Sequence, residues 1–480
     1  MSTETGTVTT VVMKFGGTSV ADADAIGRLV SIVREGLGGG GAPPVVVVSA
    51  TSGTTDQLLA LAADAQRGLP GANAGLDRVL ARHRDLARAL TSGERAATLC
   101  ALIEHELEDL RAVLTAVSIL RESSPRSLDA VAAVGEIVSS RIVAAAFEEA
   151  GVPSAWVDAR RALVTDDQHT AALPLASETR TAVEREIVPH LRDGLVPVLG
   201  GFVGAAATGA TTTLGRGGSD YSAALMGAAL HGLPAADGAR FACREIQIWT
   251  DVDGMLTADP RVVENTAVVE RLSFGEASEL AYFGAKVLHP STILPAVSAD
   301  IPVRILNSRR PGRPGTRITA DSSAGRRGVA ALACKRRVTV VEITSTRMLM
   351  AHGFLRRLFQ VFETYRTPVD VVTTSEVSVS VTVDDDRRLP EIVTALEQFA
   401  EVIVDRDMAI LCAVGDSLRT DPRLAIRLLS VLEGVPLRMV SQAASRRNVT
   451  VVLSDRDVAA AMGRLHEAAF DTAGQLGTVR

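Results

Sequence analysis

The 480 residues carry 56 acidic against 50 basic side chains, for a net charge of −6, and only 3% are aromatic. That length asks for about two to four domains, while the acidic balance and the scarcity of rings argue against a nucleic-acid surface or base-stacking platforms. Four scattered cysteines without a C-x-x-C pair, no apolar signal core at the start, and no apolar run near the roughly 20 residues of a membrane span give the expectation of a soluble cytoplasmic protein with reduced thiols.

In chain order, the first pattern is an apolar run from Val8 to Met13, broken by two threonines, that ends in Lys14-Phe15-Gly16-Gly17-Thr18-Ser19-Val20. Ile26, Leu29, Val30 and Val33 then recur at helical spacing, so the stretch reads as strand, tight glycine turn, helix. The glycines let backbone approach a bulky anion, the N–H groups of a helix start point at it, and Lys14 can reach it as a point charge. An ordinary strand–helix turn with a surface lysine reads the same residues equally well. A glycine–proline connector leads to Val45–Val48, which fits a strand covered on both faces, and then to a hydroxyl-rich loop, residues 49–55, ahead of a helix with Leu58, Leu59 and Leu61. From about residue 71 to 150 the pattern is mostly helical. Glu136 sits there in an otherwise small, apolar helix, which in isolation means a solvated stripe. Strand patterns at 155–157 and 196–202 precede a second glycine loop, residues 211–220, containing Gly215-Arg216-Gly217-Gly218-Ser219-Asp220. Ser219 or Asp220 can cap the helix that follows. Two glycine turns, each opening a helix and each with one cation (Lys14, Arg216), make a two-sided cradle for a charged substrate.

Strands at 246–252 and 301–306 flank a 253–261 loop and the stretch holding Lys286, so an α/β domain is expected to end near residue 315. A turn-rich hinge at 309–315 continues in small polar residues to Gly328; its arginines read as solvated. Two βαββαβ-like units of similar length follow. The first runs through a turn at Gly353, a helix with Phe354, Leu358 and Phe362, residues 369–376, a strand at 377–383 and a helix at 389–399. The second has strands at 408–414, 437–442 and 448–453 and helices at 421–432 and 458–469. By themselves they could be a structural tail.

The motifs Lys14 to Val20 and Thr211 to Asp220, together with Trp249-Thr250-Asp251-Val252-Asp253-Gly254, Thr257-Ala258-Asp259-Pro260-Arg261 and Phe283-Gly284-Ala285-Lys286-Val287-Leu288-His289-Pro290, resemble the amino-acid kinase superfamily and specifically the aspartate kinases. The two C-terminal units resemble ACT modules. The resemblance implies an amino-acid kinase domain over 1–315 with a parallel-rich central sheet between helices, a linker at 316–328, and one ACT module (345–411) inserted in another (329–344 plus 412–480). It implies transfer of the γ-phosphoryl of ATP, with Mg2+, to the β-carboxylate of aspartate. Both reactants are anionic, so the site has to neutralise and align them. On that reading Lys14, backed by Gly16 and Gly17, stabilises the phosphoryl, and Asp220 holds Lys14 or orders the substrate. Arg216 forks the α-carboxylate and Glu136 takes the ammonium. Ser49, Thr55 and Ser219 hydrogen-bond, and Phe202 walls the pocket. Thr250, Asp251, Leu256, Arg261 and Lys286 match positions near ATP, with Leu256 where a tyrosine is common. No dedicated protein metal cluster is implied. Met348, Gly353, Phe354, Leu355, Val369, Asp370, Ser375 and Glu376 match the effector pocket of lysine-inhibited relatives, with Ala351 where those have serine. A homodimer, or dimer of dimers, through the ACT modules is implied. A glutamate-like carboxylate kinase and an inactive amino-acid sensor are the alternatives.

Overall fold

A computed structural model describes residues 6–39, 41–284, 288–320, 328–345, 352–419, 421–442 and 447–471. The chain forms two compact units, the first from residues up to 255 plus 288–320, the second from 256–287 plus 321 onward. The boundary expected at 315 thus falls short of the first unit's end at 320, just ahead of a short strand (Thr316–Thr319), and residues 256–287, expected in the catalytic domain, group with the second.

In the first unit β1 (Thr7–Phe15), α1 (Ala23–Gly36), β2 (Val45–Val48), α2 (Thr54–Arg67), α3 (Leu69–Leu90), α4 (Gly93–Leu120), α5 (Pro125–Glu149) and β3 (Ser154–Trp156) are followed by α6 (Ala159–Ala162), β4 (Val164–Thr165), α7 (Ala176–Glu186) and α8 (Val188–Arg192). Then come β5 (Val196–Gly200), β6 (Val203–Ala206), β7 (Thr211–Thr213), α9 (Gly218–Leu230) and β8 (Arg240–Thr250). The chain contributes β9 (Arg271–Ser273) and α10 (Phe274–Tyr282) to the second unit, and returns for α11 (Leu294–Ser298), β10 (Val303–Asn307) and β11 (Thr316–Thr319).

The main sheet of this unit runs β3-β5-β2-β1-β8-β10-β11, parallel except for β11, which is antiparallel to β10. Val45 to Val48 are wholly buried, as a strand covered on both faces requires. Ile26, Leu29, Val30 and Val33 are buried as their spacing predicted and join one core with β1, β2 and helices α2 to α5. Helix α5 is the one described helix long and apolar enough to cross a membrane, and 83% of its most apolar window is buried inside the protein. β6 and β7 form an antiparallel pair beside β4. This hairpin has no counterpart among the expected strands, because Gly204 and three threonines give no period-2 apolar signal.

The second unit continues with β12 (Ala331–Thr344), α12 (Phe354–Thr364), β13 (Val372–Thr374), β14 (Ser378–Val383), α13 (Leu389–Glu397), β15 (Glu401–Val414), α14 (Pro422–Ser430), β16 (Leu437–Gln442), β17 (Asn448–Ser454) and α15 (Val458–His466). Its sheet has the order β13-β14-β12-β15-β17-β16. The two long central strands serve both modules. Residues 339–344 of β12 pair with β14, whereas residues 408–414 of β15 pair with β17. Between the halves both strands carry a left-handed residue, Arg337 (φ 57°) and Asp407 (φ 54°), where the β12–β15 register slips. The join between modules is therefore this bulge, a few residues ahead of the expected 411/412 boundary. Separate apolar clusters lie under each half.

Candidate active site

Four neighbouring parallel strands, β5, β2, β1 and β8, end at one edge of the first unit's sheet. Phe15 is in register with both Val48 and Trp249, and Val48 with Gly200. The residues that follow them leave the sheet together: Gly16 N–H donates to the Trp249 carbonyl (3.0 Å), Ser49 N–H to that of Phe15 (3.0 Å), and Gly201 N–H to that of Val48 (2.8 Å). The carboxyl edge of an open parallel sheet is where ligands bind, and here it opens into a cleft of about 520 Å³. Lys14, Gly16, Gly17, Ser49, Thr55, Glu136, Phe202, Ser219, Asp220, Thr250 and Asp251 all line it.

Lys14 Nζ lies 2.7 Å from Asp220 Oδ1, with both side chains mostly buried. The pair joins the end of strand β1 to the first turn of α9, where a carboxylate also suits the positive end of the helix dipole. Glu136 is 4% exposed, not on a solvated stripe. It reaches the cleft because Gly135 lets α5 press against the loop after β2: a Cβ there would stand 2.9 Å from that of Ala50. Burial pushes the Glu136 carboxyl up to about 8, against weaker downward pulls from the Ala50 backbone, its own backbone and Lys14. Its Oε2 is buried without a hydrogen-bond partner. A buried carboxylate oxygen left open in a cleft is a receptor for a cation or donor that arrives with a ligand.

The walls are braced from behind. His83 of α3 is 1% exposed; its Nδ1 faces the Val79 carbonyl (2.7 Å) and its Nε2 the Thr51 hydroxyl (3.1 Å). Burial lowers its pKa, so the ring is neutral: Nδ1–H donates to the carbonyl and Nε2 accepts from Thr51. Arg82 donates to the Ser52 carbonyl (3.1 Å). Phe202 holds a left-handed conformation (φ 65°), secured by its N–H to Ser222 Oγ (2.8 Å) and by Leu214 N–H to its carbonyl (3.0 Å). A bulky residue at positive φ costs about 1 kcal/mol or more and marks a wall held in place by its surroundings.

Three expectations change here. The glycine turn after Lys14 does not open α1 directly; a 3-10 turn, Gly17–Val20, intervenes, and Asp22 caps α1 by accepting from Ala25 N–H. Neither Ser219 nor Asp220 caps α9, because left-handed Gly217 takes the cap position and puts both in the first turn. And Arg216 is exposed and does not line the cleft, although Gly215, Gly217 and Gly218 around it do. Of the two expected cations, Lys14 stands inside and Arg216 on the surface of its loop. Thr18, Thr51, Ser52 and Asp56, not among the expected site residues, also line the cleft.

The remaining candidates fall in the second unit or outside the described residues. Leu256 forms an isolated bridge with Val268. Arg261 is exposed and forks onto Asp259 (Nη2 to Oδ2, 2.6 Å). Lys286, Met348 and Ala351 lie outside the described residues. Gly353 (φ 84°) is the N-cap of α12, with Phe354 half-buried and Leu355 exposed behind it. Val369 is half-buried, while Ser375 and Glu376 are exposed, Ser375 Oγ lying 2.7 Å from Ser378 Oγ. Asp370 is nearly buried and already paired: Lys335 Nζ lies 2.9 Å from both its oxygens, and the Tyr282 hydroxyl donates to Oδ1 (3.1 Å). Lys335 also meets Asp384 (2.7 Å). Among the described residues no group of three or more His, Cys, Asp or Glu is placed to hold a metal.

The model of the amino acid kinase family matches residues 9–307, and that of an ACT domain residues 411–469. The chain is 37% identical to Aspartokinase 3, chloroplastic, of Arabidopsis thaliana over 96% of its own length and 82% of the relative's. It is 34% identical to Lysine-sensitive aspartokinase 3 of Escherichia coli (strain K12), over 96% and 99%. This chain belongs to the aspartokinase family. Its fold agrees with two aspartokinase crystal structures. E. coli aspartokinase III in complex with aspartate and ADP (R-state) superposes with a TM-score of 0.78 at 33% identity, over 96% of this chain and 99% of that one. The same enzyme in complex with lysine and aspartate (T-state) gives 0.79 at 34%, with equal coverage. Both the aspartokinase fold and the paired C-terminal modules expected from the sequence are therefore present.

Proposed function

We propose that the chain transfers the γ-phosphoryl group of ATP to the β-carboxylate of L-aspartate, giving 4-phospho-L-aspartate, under amino-acid control through its ACT modules. The observation that carries this reading is one cleft holding a lysine–aspartate pair at a glycine turn and, facing it from α5, a buried carboxylate with an open oxygen. A carboxylate nucleophile has no proton to lose, so Asp220 needs no role as a base. It fixes Lys14, whose ammonium offsets charge on the phosphoryl as it moves, with the Gly16 and Gly17 backbone alongside. Glu136 takes the substrate ammonium. Arg216, exposed on its glycine loop, closes over the α-carboxylate, and Ser49, Thr55 and Ser219 hydrogen-bond the rest of the amino acid against Phe202. Thr250 and Asp251, at the cleft, face the nucleotide; Leu256, Arg261 and Lys286 are assigned to it by the family resemblance alone. Magnesium would ride on the phosphates. With no protein cluster placed to hold it among the described residues, such an ion would keep most of its waters.

Lysine is the leading effector, at Gly353, Phe354, Leu355, Val369, Asp370, Ser375 and Glu376, and by the family resemblance Met348; two copies of the chain associate through the first ACT module. Hydroxylamine trapping of the acyl phosphate, with aspartate and glutamate compared, tests the reaction. Aspartate should give hydroxamate well above glutamate, and Lys14→Ala should lower kcat by about 10² or more. Equal turnover of glutamate, or full activity in Lys14→Ala, refutes the reading.

A further inference from the structure

Asp129 does not line the cleft, yet it ties together the parts that would grip the amino acid. It lies in the first turns of α5 and is 1% exposed. Its carboxylate accepts from the Thr213 hydroxyl of β7, from Thr170 N–H at 3.0 Å to both oxygens, and faces His169 Nδ1 at 2.7 Å. These partners belong to two other segments, β7 and the turn at 166–173. That turn is closed by Asp166, whose Oδ1 accepts from Gln168 and Leu173 N–H, and it runs along β7 through Ala172 N–H to the Thr213 carbonyl (2.9 Å). It also backs the glycine loop: Thr170 is left-handed (φ 72°), and a Cβ on left-handed Gly215 would stand 3.3 Å from the Thr170 carbonyl.

Two lines of connection start at this carboxylate. Along α5, Glu136 comes two turns later, about 10 Å of rigid helix. Along β7, Thr213 is two residues ahead of Gly215 and three ahead of Arg216. We propose that Asp129 is a positioning residue for the amino-acid substrate, setting the span between the ammonium receptor on α5 and the loop that carries Arg216. This rests on the reading in which Glu136 and Arg216 hold the two ends of that substrate. An apolar contact would pack the same three segments with no desolvation cost, but it would not fix their register. A buried carboxylate with several donors does, since each donor has one acceptable place.

The test is a split between two Michaelis constants. Thr213→Val cuts only the β7 arm. Asp129→Asn keeps acceptors for Thr170 and Thr213, and its amide nitrogen can donate to His169 once that ring changes tautomer, so neither variant needs to refold around a void. Each is expected to raise KM for aspartate about tenfold, the worth of one hydrogen bond to a charged group, while KM for ATP stays within about twofold. Thr213→Val combined with Arg216→Ala should fall short of the product of the single effects, because the first acts through the second. Arg216→Ala and Glu136→Gln, measured alongside, keep the two claims apart. If those two leave KM for aspartate unchanged, the substrate reading fails. If they raise it while Thr213→Val and Asp129→Asn do not, or if the latter shift both Michaelis constants in step with a lower melting temperature, Asp129 only holds the fold and the positioning role is overturned.

Discussion

Glu136 is the residue whose chemistry departs furthest from its sequence context. In an unfolded chain its carboxyl titrates near 4.5, whereas burial raises it to about 8 in the fold. Between those values the native state keeps a proton that the unfolded state has lost, so this group makes stability fall as pH rises through that window. The gain in melting temperature from Glu136→Gln is expected to widen from about pH 5 to pH 8 and then level off. Substrate binding works in the opposite sense. An ammonium against the open oxygen favours the charged carboxylate and drives the proton off, so KM for aspartate should fall between about pH 6.5 and 8.5, and Glu136→Gln should be weak and flat over the same range. A pH-independent KM in the native enzyme would count against this role. Lys14, Gly16, Gly17, Ser49, Thr55, Ser219 and Asp220 were legible because glycine turns and hydroxyl clusters stand out from apolar strands. Asp129 and His83 were not. Each stands in a helix among other polar residues, and what makes it matter is a partner 32 or more positions away, which no local pattern carries.

At the scale of elements, α10 shows what periodicity misses. Glu276, Glu279 and Tyr282 recur every three residues and so share a face. Glu276 Oε1 accepts from Asp416 N–H (3.0 Å), Asn448 Nδ2 donates to Glu279 Oε2 (2.6 Å), and the Tyr282 hydroxyl donates to Asp370. One helix thereby touches both C-terminal modules, and its last residue shares a carboxylate with Lys335. That lysine bears on regulation. Asp370, one of the two carboxylates among the residues proposed for the effector pocket, already holds an ammonium from the chain itself, so an effector amine binding there would have to displace it. Lys335→Met is expected to lower the lysine concentration for half-inhibition by about tenfold. Unchanged or weaker inhibition in a dose–response series would mean that Lys335 does not compete. Strands such as β2 and β17 were plain from apolar runs. β11 was hidden in a stretch read as hinge, because Thr316-Arg317-Ile318-Thr319 is short and polar and becomes a strand only against β10.

For the whole molecule, the first ACT module leaves large apolar side chains exposed: Leu355 and Phe359 one turn apart on α12, and Val372 and Val377 on other segments, at 36–41%. Two chains meeting there would cover them. Light scattering should give the mass of a dimer, and Leu355→Asp with Phe359→Asp should halve it; a native monomer would exclude this face as a contact. The two-module plan was readable from repeated turns and apolar periods, but the boundary was not, since nothing in 401–414 marks where one module stops and the next begins. β12 and β15, of fourteen residues each, are common property. Heat cannot melt one sensor and spare the other without tearing strands that both depend on, so calorimetry of this half should record a single cooperative endotherm. For the same reason a lineage cannot trade one sensor for a foreign copy by recombination. It has to retune the existing one a side chain at a time.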